Sequence, residues 1–80
     1  ITKGNNMELS NLRKQNNLSQ NQIAAILNIK QATYSQYENG KREPSLNLLK
    51  QLKKIFNCSY DDLINALIYA QTQNATKKEK

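Results

Sequence analysis

No histidine occurs anywhere in the 80 residues, and Cys58 is the single cysteine. Without an imidazole there is no histidine base and no Ser–His or Cys–His nucleophile pair. One cysteine and no histidine also exclude the usual zinc ligand sets and any internal disulfide. Glycine is confined to Gly4 and Gly40, so a glycine-rich phosphate loop cannot be assembled. Asp61 and Asp62 are neighbours; on a helix they point about 100° apart and do not converge as a catalytic pair. The longest unbroken apolar run, Ile23 to Leu27, is far too short to cross a bilayer, and no basic head with an apolar middle marks a secretory leader. The expectation is a non-enzymatic chain without metal, cofactor or membrane partner, located in the cytoplasm. Three Asn-x-Ser/Thr triplets, at Asn17, Asn57 and Asn74, read as chance matches in a chain rich in asparagine.

Positive charge is abundant, and its placement matters more than its total. Between Arg13 and Lys54 lie eight basic residues (Arg13, Lys14, Lys30, Lys41, Arg42, Lys50, Lys53, Lys54) against two acidic ones, Glu38 and Glu43. The whole net charge of +6 therefore belongs to this segment. Each phosphate it neutralised would release condensed counterions, so the segment favours a nucleic acid in a salt-dependent way. Lys50, Lys53 and Lys54 serve solubility as readily as phosphate contact.

Hydrophobic spacing divides the chain into short helices. A first runs from about Met7 to Gln15, with Leu9 and Leu12 inward, and Asn16-Asn17 interrupts it. Ser19 with Gln22 three positions on is a capping box that starts a second helix at Gln20, where Ile23, Ala24, Ile26 and Leu27 form one apolar face. Asn28 tolerates a positive φ and ends that helix, and Ile29 plugs the angle that follows. A third helix, about Gln31 to Asn39, turns Tyr34 and Tyr37 inward and leaves Gln31, Ala32, Thr33 and Gln36 outside; Gly40 ends it. Ser45 caps a fourth helix with Leu46, Leu49, Leu52, Ile55 and Phe56 in its apolar stripe. Ser59, with Asp62 three residues on, opens a fifth helix carrying Leu63, Ile64, Leu67 and Ile68, flanked by Tyr60 and Tyr69. That apolar face is wider than one core stripe needs. Residues 1–6 read as a flexible arm or a remnant of cloning, 7–71 as one domain, and 72–80 as a frayed, charged tail.

The stretch from Leu18 to Arg42, two short helices joined by a tight turn, carries a resemblance. Through Leu18-Ser19-Gln20, Ile23-Ala24, Leu27, Ile29, Ser35, Glu38 and Gly40-Lys41 the chain resembles the phage-repressor (Cro-like, or XRE) helix-turn-helix family. Pro44-Ser45-Leu46 and Ser59-Tyr60-Asp61-Asp62-Leu63 extend the likeness to about residues 8–68. The resemblance implies an all-α, compact five-helix, lambda-repressor-like DNA-binding domain whose second and third helices read DNA. Gln31 then faces the major groove, where a glutamine amide pairs bidentately with adenine N6 and N7. Gln36 reaches the same groove face, and Ala32 and Thr33 offer methyl groups to thymine. For Gln31, Thr33 and Gln36 the bland alternative is an ordinary solvent-facing polar residue.

Gln20, at a helix N-terminus, is expected to contact a phosphate and to brace a base-reading residue, with Lys30, Asn39, Lys41 and Arg42 as further phosphate contacts. The resemblance also implies an ion pair between Arg13 and Glu38, with phosphate contact a secondary role for Arg13, and a packing role for Cys58. Two residues depart from the family pattern. Lys30 replaces the usual Ser or Thr cap of the third helix, a loss of about 1 kcal/mol. Tyr34 replaces an Ile or Val, so its hydroxyl needs a partner or water. The expected function is sequence-specific binding of double-stranded DNA by a transcriptional repressor, as a homodimer on a palindromic operator, paired through the fifth helix. The alternatives are the antitoxin of a toxin–antitoxin pair or another protein-binding module, with a toxin or anti-repressor as partner, and a DNA-binding domain cut from a larger regulator.

Overall fold

Four chain reversals shape the domain, and they share one device. Asn17 (φ 59°), Asn28 (φ 62°), Gly40 (φ 75°) and Asn57 (φ 52°) each take the left-handed conformation just past a helix. The next residue then returns its N–H to a carbonyl five positions back: Leu18 to Arg13, Ile29 to Ala24, Lys41 to Gln36 and Cys58 to Lys53. These bonds satisfy carbonyls that a helix end leaves open, and in three of the four the returning residue is apolar.

The computed structural model describes residues 8–78, with side chains through residue 73. Five helices follow in order: α1 (Leu9–Gln15), α2 (Gln20–Leu27), α3 (Gln31–Glu38), α4 (Leu46–Phe56) and α5 (Tyr60–Lys78). There is no strand among the described residues. The expected arm at 1–6 and the expected helix start at Met7 lie outside the described residues. No break occurs at Thr72, where fraying is expected: α5 runs on through Lys78, and its sequence there contains neither Gly nor Pro. Ser19 and Gln22 form the capping box of α2, at 3.0 Å from the Gln22 N–H to Ser19 Oγ and 2.8 Å from the Ser19 N–H to Gln22 Oε1. Ser45 and Ser59 cap α4 and α5 through the N–H groups of Leu48 and Asp62. Asp61 and Asp62 sit in the first turn of α5, where the helix dipole favours negative charge.

All five helices contribute to one core. Leu9 and Leu12, Ile23, Ala24 and Leu27, Tyr34 and Tyr37, Leu48, Leu52 and Phe56, and Leu63, Ala66 and Leu67 are buried together, with Ile29, Leu49, Ile55 and Cys58 packed at its margin. Two expected core residues, Ile26 and Leu46, lie outside it, as does Ile68 on the wide apolar face of α5. Ile26 and Ile68 are each 55% exposed, and Leu46 is 71% exposed. Leu46 sits about 120° from the centre of the stripe that Leu48, Leu52 and Phe56 define, so Leu48 takes the core place instead. Ile26 is rotated off the Ile23–Leu27 line by a similar angle. On α5, Leu63, Ala66, Leu67 and Ala70 face inward, and Ile64 and Ile68 form a second apolar stripe beside them.

Gly40 has a second reason to be glycine. A Cβ there would stand 2.2 Å from the Ala70 carbonyl oxygen and 2.8 Å from Gln71 Cα, so the end of α3 rests directly on the α5 backbone. Asparagine serves at the other three reversals; only this one demands the absence of a side chain.

Candidate nucleic-acid interface

The turn at Asn28 sets α2 and α3 against each other so that their N-termini, Gln20 and Gln31, lie side by side. Tyr34 and Tyr37 hold α3 from beneath, their rings edge to face at 6.4 Å between centroids. This leaves Gln31 and Ala32 exposed, and Thr33 and Gln36 half-buried, on the outer side of α3. Lys30, Asn39, Lys41 and Arg42 are exposed at its two ends. Lys30 occupies the cap position of α3 with an extended backbone and makes no side-chain capping bond. Asn39 donates to Ser35 Oγ at 3.2 Å.

Beneath this surface runs a chain of polar contacts. The Arg13 guanidinium donates from Nε to Glu38 Oε2 at 2.6 Å and from Nη2 to Glu38 Oε1 at 3.3 Å. Its Nη1 donates to the Leu18 carbonyl at 2.9 Å, tying α1 to the segment that enters α2. The two charged side chains are only 11% and 7% exposed. This fork-to-fork geometry joins α1 to the last residue of α3 and fixes the angle of α3. The bonded Glu38 carboxylate raises the Arg13 pKa above its ordinary value, against the opposing effect of burial. Such burial takes up all three guanidinium nitrogens internally, which leaves a phosphate little to contact on Arg13.

Glu38 Oε1 also accepts from Gln20 Nε2 at 2.8 Å, and Gln20 Oε1 in turn accepts from Gln31 Nε2. Gln31 and Glu38 are seven residues apart, so they share one flank of α3, and Gln20 spans the space between them. The direct Gln20–Glu38 bond is not legible from local sequence. The i, i+7 spacing of Gln31 and Glu38 is the signal that both face α2.

Tyr34 is fully buried, and its hydroxyl lies beside the Arg13–Glu38 pair without meeting either at full hydrogen-bond geometry. Burial first, and the nearby Glu38 carboxylate second, raise its pKa above the ordinary value of 10. A raised folded-state pKa contributes stability that is complete below the unfolded value and is lost as pH climbs from there toward the folded value. The alkaline arm of the pH–stability curve should therefore fall beyond pH 10 and flatten in Tyr34→Phe. The same substitution removes an unsatisfied buried group. It should stabilise the domain at neutral pH by about 1 kcal/mol, some 5 °C in Tm by thermal melting.

Elsewhere the chemistry is quiet. Cys58 packs at the core margin, and burial, with Asp62 nearby, raises its pKa. Lys53 lies 5.2 Å over the Tyr60 ring, a cation–π contact away from the Gln20–Gln31 surface. Among the described residues no three His, Cys, Asp or Glu side chains converge as a metal site, and no helix is long and apolar enough to cross a membrane.

Residues 9–63 match the helix-turn-helix family profile. Two curated proteins are similar over most of the chain. One is the HTH-type transcriptional activator BcrR of Enterococcus faecalis, 32% identical over 78 residues that cover 94% of this chain and 38% of that protein. The other is the HTH-type transcriptional regulator AnsR of Bacillus subtilis strain 168, 39% identical over 64 residues that cover 80% of this chain and 55% of that protein. The chain thus spans well under two thirds of either relative. No solved structure matches it.

Proposed function

This chain belongs to the helix-turn-helix family of the Cro/XRE type, and from that premise we propose that it is the DNA-reading domain of a transcription regulator. The observation that carries the reading is the Gln20–Gln31 contact, which holds two helix N-termini side by side at an outer α3 face where Gln31 and Ala32 are exposed and Thr33 and Gln36 half-buried. Helix N-termini favour phosphate, and an α-helix of this diameter fits the major groove. Gln31, Ala32, Thr33 and Gln36 are the base-reading residues of this proposal. Gln20, Lys30, Asn39, Lys41 and Arg42 are its phosphate contacts.

The unit works in pairs in this reading. Pro44, Leu49, Ile64, Leu67 and Ile68, together with Glu43 and Gln71, line a groove along α5 that is mostly apolar, where a monomer needs no apolar surface. Two-fold pairing there would set two α3 helices about 34 Å apart, one DNA turn.

Enrichment from a random duplex pool at near-physiological salt tests the whole reading. The expected product is a two-fold symmetric motif with half-sites about one turn apart. Lys41→Ala and Arg42→Ala should weaken binding to all sequences alike, each lowering the salt slope by about one. Ile68→Glu should leave single half-site binding intact and abolish the symmetric, cooperative product. A folded protein that retains DNA without any motif would defeat the sequence-reading role.

A further inference from the structure

We propose that the buried Arg13–Glu38 ion pair sets which base Gln31 prefers, by fixing the polarity of two amides in series. The argument starts from what each group can do. A carboxylate only accepts hydrogen bonds. Glu38 Oε1 therefore obliges Gln20 to present Nε2 to it, as observed at 2.8 Å. That leaves only Oε1 of Gln20 to face α3, and an acceptor there obliges Gln31 to present Nε2 in turn. Gln31 is left with Oε1 as an acceptor and one N–H as a donor at the exposed surface. Polarity is thus dictated by the charge at the buried end of the chain, not by Gln31 itself.

The consequence is a base preference. Adenine offers the N6 amino donor and the N7 acceptor in the major groove, which match one acceptor and one N–H. Guanine offers two acceptors, O6 and N7, and needs two donors. With one N–H of Gln31 held by Gln20, guanine is disfavoured. Arg13 makes the arrangement one-way, because its donors face both carboxylate oxygens and hold them in place.

Replacing Glu38 by glutamine inverts the series. The new amide keeps its oxygen on Arg13 Nε, the shorter of the two contacts, and turns its nitrogen toward Gln20, giving up the 3.3 Å bond from Arg13 Nη2. Gln20 must then turn its oxygen to that nitrogen and its Nε2 to Gln31. Gln31 answers with Oε1 and exposes both N–H groups. Two outward donors suit guanine.

The proposal rests on the base-reading role of Gln31 given above, and the experiment separates the two. Enrichment from a random duplex pool is run with the wild type, Gln31→Ala, Gln20→Ala and Glu38→Gln, each shown to be folded by circular dichroism. Gln31→Ala identifies the base pair that Gln31 reads. At that pair the wild type should select adenine over guanine. Gln20→Ala leaves the ion pair intact and should lower the adenine-to-guanine ratio roughly tenfold, the scale of one bidentate contact. Glu38→Gln should move the preference toward guanine at that pair alone, which a loss of stability would not do. Unchanged adenine selection in either Gln20→Ala or Glu38→Gln overturns the relay while the DNA reading stands. A wild-type motif that Gln31→Ala leaves untouched overturns the role of Gln31 and the relay with it.

Discussion

Gly40→Ala is expected to remove a large part of the folding stability of this domain. Two costs combine at one position. An L-residue at φ +75° loses about 1–2 kcal/mol to backbone strain. The new Cβ would also meet the Ala70 carbonyl oxygen at 2.2 Å, and the obstacle is helix backbone, which cannot rotate away. Prising α3 off α5 adds a further 1–3 kcal/mol or so of overpacking. A loss of roughly 2–5 kcal/mol is a large share of the ~4–12 kcal/mol expected for a domain of this size. Urea denaturation read by circular dichroism measures it.

Two controls separate the causes. Gly40→Asn relieves most of the backbone strain, since Asn17, Asn28 and Asn57 accept this conformation, yet it should remain strongly destabilising because the contact persists. Asn28→Gly, at a reversal that already accommodates a side chain, should change stability by only about 0.5 kcal/mol or less. A mild Gly40→Asn would show that α5 yields locally and that strain alone explains the glycine.

Arg13→Met should cost about 3 kcal/mol, more than the ion pair itself contributes. It strands a carboxylate that is 7% exposed and leaves the Leu18 carbonyl without its donor. Gln20 alone remains to satisfy Glu38. A second substitution, Glu38→Leu, should recover a large part of the loss, because replacing both charges by apolar groups removes the desolvation penalty along with the attraction. Thermal or urea melts of the two single variants and the double variant give the coupling directly. A double variant no more stable than Arg13→Met would mean that the pair stabilises the fold through geometry and not through charge. The recovered fold would still lack the acceptor that orients Gln20. Stability and base selection should therefore part company in the double variant.

Much of the fold is legible in the order of residues. Serine caps, the left-handed Asn28 and apolar spacing place the starts of α2 to α5 to within a residue or two, since each depends on neighbours in the chain; the far end of α5, which carries no stop signal before Lys78, is not placed. The outer face of α3 follows from the inward Tyr34 and Tyr37 for the same reason. The choice among apolar residues is less legible. Ile26, Leu46 and Ile68 have the right chemistry for a core, but the angle at which their helices dock turns them to solvent. Leu48, passed over in the apolar stripe of α4, is buried because that helix presents a slightly different line to α5.

The site divides in the same way. Arg13, Gln20, Gln31 and Glu38 can be nominated from the sequence by resemblance, each with a role of its own. That they form one continuous series of donors and acceptors depends on three helices meeting at a fixed angle. The unsatisfied hydroxyl of Tyr34 and the bare backbone contact at Gly40 are likewise properties of packing between distant segments. The order of residues is enough for the helices, their caps, the basic segment and the polar outer face of α3, because those follow from local propensity, spacing and charge. Which apolar residues the core accepts, why the third reversal must be glycine, and how a buried charge reaches the exposed amide of Gln31 depend on the packed helices. Those outcomes are set by distances between residues far apart in the chain, to which local pattern carries no information.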